Sequence, residues 1–327
     1  MSLNKLRALL SEKLSGNNPS AILHAYEPTG QPPMSLFDIE EHKEHYLTIA
    51  SSDGTYRGML TGALAGVGGL GFAVLAFLVL LDGKLQPALM TALVAALLFI
   101  VPFLWEVFRP LPPPILFNRR TREVYFQHDG DLYHTPWDGI AAAAYEFEMV
   151  GPYTGGTRHA SLEVLVQCFG HPEKQLLISL GLPMAKSLKL QESFWEYLRS
   201  YMNNGPWFDE NGHHSESDTF VKGQLEIADS AGKVLRNTWN FVASEYKAAD
   251  GKNFLDLGSA IMLICAVFLQ PMNSIHDFTY SVVKLRNRKR WPTLVTERLR
   301  PDGPTTRLID IEPTQVNPQQ SNDLSAS

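Results

Sequence analysis

Two long uncharged stretches dominate the pattern of apolar and polar positions. Gly58–Leu81 runs for 24 residues without a charge, and Leu85–Trp105 for 21. A helix rises 1.5 Å per residue, so about 20 residues cross a hydrocarbon core of about 30 Å. Only Asp82, Gly83 and Lys84 separate the two runs, which predicts an antiparallel transmembrane hairpin over residues 58–107. Gly58, Gly62 and Gly66 recur every four residues in the first span, as do Ala88, Ala92 and Ala96 in the second. Such ridges of small residues let backbones approach closely where lipid removes the apolar drive for packing. The two ridges are expected to meet, or one of them to mediate homo-oligomerisation. Pro87 fits the first turn of its helix, whereas Pro102 predicts a kink.

The pattern changes on either side of the hairpin. Residues 2–14 carry Leu3, Leu6, Leu9, Leu10 and Leu14 at helical spacing, and Gly16-Asn17-Asn18-Pro19 ends that helix. A Pro-rich extended segment (19–37) and one strand, Tyr46–Ala50, follow. After the stiff PLPPP spacer at 110–114, short strands are predicted at Ile115–Asn118, Glu123–Gln127, Asp131–Thr135, Ile140–Met149, Ser161–Phe169 and Lys174–Leu180. Alternation is clear in Leu162, Val164, Val166 and Cys168 against Glu163, Leu165 and Gln167. A helix, Gln191–Met202, then places Phe194, Trp195, Leu198 and Tyr201 on one side before Asn204-Gly205-Pro206 stops it.

From Thr219 the apolar spacing predicts a long helix with a seam of Val221, Leu225, Ala228, Gly232, Leu235, Trp239, Val242 and Tyr246, weakened at Gly232. A third apolar run, Leu257–Leu269, has only 13 uncharged residues before Gln270-Pro271. Runs of that length are more often buried or interfacial than spanning. A third span would also carry Lys284, Arg286, Arg288, Lys289 and Arg290 to the outer side. A buried, interfacial or re-entrant helix is therefore expected. The polar tail from Pro301 is expected to be disordered.

Charge orients the hairpin. Lys43, Arg57, Arg109, Arg119, Arg120 and Arg122 flank it, against Lys84 alone at the tip. The positive-inside rule places both termini and the bulk of the chain in the cytoplasm, with Tyr56 and Trp105 at the inner interface. A net charge of −6 argues against a direct nucleic-acid binder. Two isolated cysteines, Cys168 and Cys265, give neither a disulfide framework nor a zinc site. Gly66-Val-Gly68-Gly-Leu-Gly71 matches the dinucleotide fingerprint, but it lies inside an uncharged span and reads as helix packing. Glu41-His42-Lys43-Glu44-His45 reads as a solvated charged segment, and His213-His214 as an exposed loop. No catalytic, cofactor or metal-ligand pattern emerges, so no enzyme and no cofactor are expected. The basic run Lys284, Arg286, Arg288, Lys289 and Arg290 suits anionic membrane lipid. Tyr153, Arg158 and His159 in one loop, and Trp207 and Phe208 in another, are of the types that dominate protein interfaces.

Six or seven strands followed by a helix rich in aromatics resemble a pleckstrin-homology-like (PH-like) domain, and Tyr133-His-Thr-Pro-Trp137-Asp-Gly-Ile140 is similar to a passage common in bacterial members. The fold class is then an α+β membrane protein, its hairpin attached to or inserted in an antiparallel β domain. The expected segments are 1–57, the hairpin 58–107, the β domain 108–206, a helical region 207–300 and a tail 301–327. The runs Phe108–Tyr125, Pro136-Trp137-Asp138, Phe194–Pro206 and Trp291-Pro292 resemble a bacterial family of immunity proteins found beside type VI secretion effectors. That resemblance implies a binder that neutralises a cognate toxin, here a nuclease acting in the cytoplasm. A membrane-tethered PH-like adaptor that binds lipid or a membrane partner is the alternative.

Overall fold

A computed structural model describes residues 19–312 except 37, 52–53, 55, 152–154, 182–185, 228–230 and 249–256. The amphipathic segment 2–14 and the loop residue Tyr153 lie outside the described residues. The chain divides into two compact units. One comprises 1–51, 114–224 and 291–327, and the other 52–113 and 225–290.

The first unit is an antiparallel sheet curled into a half-barrel. Its strands are β1 (Ala21–His24), β2 (Ile39–His42), β3 (Tyr46–Ile49), β4 (Ile115–Asn118), β5 (Glu123–His128), β6 (Asp131–Pro136), β7 (Ala141–Gly151), β8 (Gly155–Cys168) and β9 (His171–Ser179). They run in the order β1-β7-β8-β6-β5-β4-β3-β2, with β9 paired to β8. The strands expected from alternation all form, with ends shifted by a few residues and with β8 beginning well before Ser161. Two more, β1 and β2, come from the segment expected to be merely extended or charged. Tyr46 pairs with Asn118 and Ile49 with Ile115. The helical hairpin is therefore inserted in the sequence between two neighbouring strands of one sheet.

Helix α3 (Leu188–Asn204) packs against β7 and β8. (Helices α1, Met59–Leu81, and α2, Leu85–Phe108, belong to the second unit.) It buries Phe194, Trp195, Tyr197, Leu198 and Tyr201 completely. Trp195 lies 5.3 Å from Trp137 between ring centroids, and Trp137 meets Phe117 edge-on at 6.1 Å. Small residues face this helix: Ala142, Ala144 and Ala160 are fully buried. Polar tips find partners, as buried indoles require. Trp195 Nε1 donates to the His24 carbonyl at 3.2 Å, and Trp137 Nε1 to Asn203 Oδ1 at 2.8 Å. The first unit also holds α4 (Thr219–Ile227) in part, α7 (Thr293–Arg298) and α8 (Leu308–Ile311).

The tail expected to be disordered from Pro301 is in fact ordered to Glu312. Leu308 is fully buried with Leu116, Tyr125 and Val295. Residues 313–327 lie outside the described residues.

The second unit contains three helices long and apolar enough to cross a membrane. These are α1 (Met59–Leu81), α2 (Leu85–Phe108) and, within α6 (Leu257–Asn287), the stretch Gly258–Arg286. The third run thus does not stop at Gln270-Pro271. Pro271 sits inside the helix, as membrane helices allow when neighbours re-satisfy the freed carbonyl.

The glycine ridge does not meet the alanine ridge. A Cβ at Gly58 would stand 2.5 Å from the His276 carbonyl oxygen, one at Gly62 2.6 Å from the Met272 carbonyl oxygen, and one at Gly66 2.5 Å from the Met272 Cα. The ridge is therefore the seat of α6. A π-helical segment, Leu64–Gly69, then re-phases α1, so that Gly68 and Gly69 face Leu98 and Ala95 of α2. Of the alanines, Ala88 is buried, Ala92 exposed and Ala96 intermediate.

The base of this unit is closed by Glu106, 2 % exposed. Its carboxylate accepts from Gly58 N at 2.9 Å, from Thr61 N at 3.1 Å and from the Thr61 hydroxyl. Gly58 has φ +87° and no side chain to cap α1, so a residue of α2 caps it instead. Arg57 donates to the Pro110 carbonyl at 3.0 Å beside it. The expected heptad seam is not buried as a seam. It divides between α4 and α5 (Ala231–Ala248), where Val221 and Val242 are buried but Trp239 and Tyr246 are exposed.

Gly66→Leu is expected to lower the melting midpoint of the detergent-solubilised chain by roughly 5 °C or more through overpacking against α6. Gly71→Leu, with nothing within 4 Å of its Cβ, should leave the midpoint unchanged. Glu106→Ala leaves two backbone donors of α1 without their acceptor. It should cost about 2–4 kcal/mol in a chemical denaturation series.

Candidate functional site

The longest strand pair reaches beyond the rest of the sheet. β1 pairs with β7 only over Ala141–Ala144, and β9 pairs with β8 only from Glu163 onward. Six further pairs, from Glu146↔Ala160 to Gly151↔Gly155, continue as a two-stranded ribbon. At 3.4 Å per residue it extends about 20 Å. Among the described residues neither of its outer edges is paired with a third strand. Its root is fixed: Glu146 N donates to Ser20 Oγ at 3.3 Å, and Glu146 Oε1 accepts from Leu188 N at 2.8 Å. An unpaired edge offers backbone donors and acceptors to another chain. Two of the residues expected to bind a partner, Arg158 and His159, lie on this ribbon opposite Glu148 and Phe147. His159 is buried rather than exposed, its ring stacked on Phe147 at 5.6 Å.

The second expected interface is a packing cluster instead. Phe208 is fully buried, edge-on to Tyr197 at 5.0 Å. Trp207 stacks on His42 at 5.4 Å, and Tyr201 meets the same imidazole edge-on at 4.8 Å. His42, expected in a solvated segment, is thus enclosed by aromatic rings. Its Nε2 lies 2.6 Å from the Pro206 carbonyl oxygen and its Nδ1 3.1 Å from the Tyr197 hydroxyl. A neutral ring satisfies both, with Nε2–H donating and Nδ1 accepting. Burial lowers its pKa to about 4, aided by the Arg119 charge and partly opposed by the Pro206 carbonyl. The cluster rivets β2 to the end of α3. His214 Nδ1 makes a 2.8 Å hydrogen bond with the Asn204 carbonyl at the end of α3, while the His213 side chain is largely exposed.

Residues from the runs expected to show a family resemblance meet in one polar cluster. Arg122, held at φ +51°, donates to Asp138 Oδ1 at 2.8 Å, the Met202 carbonyl at 3.1 Å, the Tyr26 hydroxyl at 3.0 Å and Asn203 Oδ1 at 3.1 Å. Asp138 also accepts from the Tyr26 hydroxyl. Its carboxyl is held below the usual range: the hydrogen bonds from Tyr26 and Arg122 outweigh burial, which acts the other way. Arg122, Trp137, Asp138 and Asn203 tie α3 to the sheet.

A third polar cluster clasps the C-terminal segment. Glu123 accepts from Leu308 N at 2.8 Å, Ile309 N at 3.2 Å and the Tyr125 hydroxyl at 2.8 Å. Glu312 pairs with His134 Nε2 at 2.9 Å and accepts from Gln167 and Gly170 N, both at 3.1 Å. Burial disfavours the His134 imidazolium, yet Glu123 and Glu312 together raise its pKa.

At the base of the helical unit Tyr56 and Trp105 are exposed, and the Arg109 guanidinium lies 5.6 Å from the Trp105 ring centroid. The basic run begins in the last turn of α6. Lys289 N donates to the Leu111 carbonyl at 2.9 Å, which puts Lys284–Arg290 beside the end of α2. Among the described residues no group of three or more His, Cys, Asp and Glu is placed to hold a metal ion. No family model, curated protein or solved structure matches this chain.

The His42 cluster predicts a pH dependence. Its folded-state pKa lies below the unfolded value of 6.5, so its contribution is full above pH 6.5 and is lost as pH falls toward 4. The loss is roughly 3 kcal/mol at most. Denaturation midpoints at pH 7 and pH 4.5 should differ less in His42→Phe than in the native chain. Equal pH dependence in the two would remove His42 as the cause. His134 acts with the opposite sign: its contribution is lost as pH rises through its raised pKa.

Proposed function

We propose that the chain is a membrane-anchored immunity protein. It binds a cognate type VI secretion effector, a nuclease acting in the cytoplasm, and neutralises it by protein–protein contact. The β7–β8 ribbon carries this reading: a rigidly rooted strand pair with open edges, on a chain with membrane-length helices. The resemblance over Phe108–Tyr125 and Phe194–Pro206 supports the same reading. In this view α1 and α2 anchor the chain in the bacterial inner membrane with both termini and the β unit in the cytoplasm. That is where a nuclease would have to be met. The ribbon would add its edge to the effector, with Arg158 on β8 contributing to specificity.

The basic run beside the end of α2 favours a second reading, a PH-like adaptor that engages anionic lipid or a membrane partner. The two differ in what they require. Cells lacking the chain should be sensitised to siblings that deliver the toxin encoded by the adjacent gene, and plasmid expression should restore protection. A chain in which residues 148–158 are replaced by an Asn-Gly turn keeps the Phe147–His159 register. It should remain at native level in membranes yet lose protection at least tenfold and fail to retain the toxin in a pull-down. Undiminished protection by this variant removes the ribbon from the interface. No sensitivity on deletion removes the immunity reading and leaves the adaptor.

A further inference from the structure

The third membrane-length helix raises a question of topology that its neighbours answer. The C-terminal half of α6 lies on the glycine ridge, antiparallel to α1: Gly58 faces His276 and Gly66 faces Met272. Gly66 is eight residues, about 12 Å, into α1, so Met272 sits at hydrocarbon depth. Pro271, directly before it, removes a helix hydrogen bond and is where such helices bend. Beyond this point α1 turns its glycines to α2, and α6 packs instead with α5. Ser259 Oγ donates to Glu245 Oε2 at 3.2 Å, which fixes the end of α5 to the start of α6 and makes the pair an antiparallel hairpin.

The two helices present different surfaces. Ile261, Ile264, Val267 and Phe268 of α6 are exposed, Phe268 at 75 %. α5 exposes Arg236, Glu245 and Lys247. If the first half of α6 crossed the bilayer, α5 would be carried through with it, exposing these charges to lipid. Each costs about 2.5–3.5 kcal/mol at the bilayer centre by insertion scales. If the pair stood in water, the apolar face of α6 would be uncovered. Both costs vanish when the hairpin lies along the membrane surface, and Trp239 on α5, 52 % exposed, is of the type enriched at that depth. The run Lys284–Arg290 at the other end of α6 supplies charge complementary to anionic headgroups.

We propose that α5 and the segment Leu257–Leu269 form a monotopic helical hairpin in the inner leaflet, its α6 face among acyl chains and its α5 face among headgroups. Only α1 and α2 then cross the membrane, and α6 enters from the inner side to seal the glycine ridge. This rests on the reading of the chain as membrane-anchored.

Cys265 is exposed and Cys168 buried, which gives a natural probe. On a Cys168→Ser background in inverted inner-membrane vesicles, Cys265 should react with a membrane-impermeant maleimide at least tenfold more slowly than in detergent. Ser244→Cys, made in addition to Cys265→Ser, should label in inverted vesicles and stay unlabelled in intact spheroplasts. Asp82→Cys, on the same background, should do the reverse. Trypsin on the unmodified chain gives an independent measure: cleavage after Arg236 or Lys247 from the vesicle side only. Labelling of Ser244→Cys or cleavage after Arg236 in spheroplasts overturns the proposal in favour of a full crossing. Equal Cys265 reactivity in membranes and detergent overturns it in favour of a hairpin in water. Recovery of the chain in the soluble fraction removes the anchorage itself, an outcome separate from these two.

Discussion

The helical unit depends on one carboxylate. The first backbone N–H groups of a helix have no partner within it, and a buried one left unsatisfied is costly. Gly58 has no side chain to cap α1, and with φ +87° and the α6 backbone 2.5 Å from its Cβ position it can carry none. Glu106 supplies the acceptor from the far end of α2. One contact thus caps α1, joins the two ends of the hairpin and frees Gly58 to lie flat against α6. The glycine ridge and the seating of α6 follow from it.

The sheet unit is organised by a comparable economy of side chains. Alanines on β7 and β8 leave room, and Phe194, Trp195, Tyr197 and Tyr201 of α3 fill it. Each of these aromatics that retains a polar atom has a partner for it: a backbone carbonyl for Trp195 and Tyr201, the His42 imidazole for Tyr197. His42 is the least expected member, a titratable ring kept neutral by its surroundings and spent on packing. The clasp of Glu123, His134 and Glu312 does for the C-terminal segment what the aromatic cluster does for β2.

Much of this was legible in the sequence, for specific reasons. A stretch without charge such as Gly58–Leu81 has few alternatives to a membrane-length helix, and alternation in Leu162–Cys168 has few alternatives to a strand. β1 and β2 were missed because four residues such as Ala21–His24 give too short a period to detect. The course of α6 past Pro271 was not legible because Gln270-Pro271 reads as a helix stop, and a long helix with packed neighbours tolerates one proline. The partner of the glycine ridge was missed because small residues encode closeness without naming the neighbour. Phe208 and His159 read as interface residues in polar loops, and only the fold shows that both are buried. The ribbon was legible as a loop but not as an extension of the sheet, since pairing depends on strands distant in sequence.

The pairing of Ile49 with Ile115 has a consequence for how the chain is made. β3 and β4 are neighbours in the sheet, yet about 65 residues, including both helices of the hairpin, are synthesised between them. Closing so long a loop costs entropy that grows only with the logarithm of its length, but that cost falls before the pairing can form. β3 is made early, and its edge toward β4 stays unpaired until both helices have been synthesised. Completion of the sheet is therefore tied in time to closure of the helical hairpin. A chain whose hairpin fails to close holds a half-built sheet with an open edge, the kind of species that quality control removes.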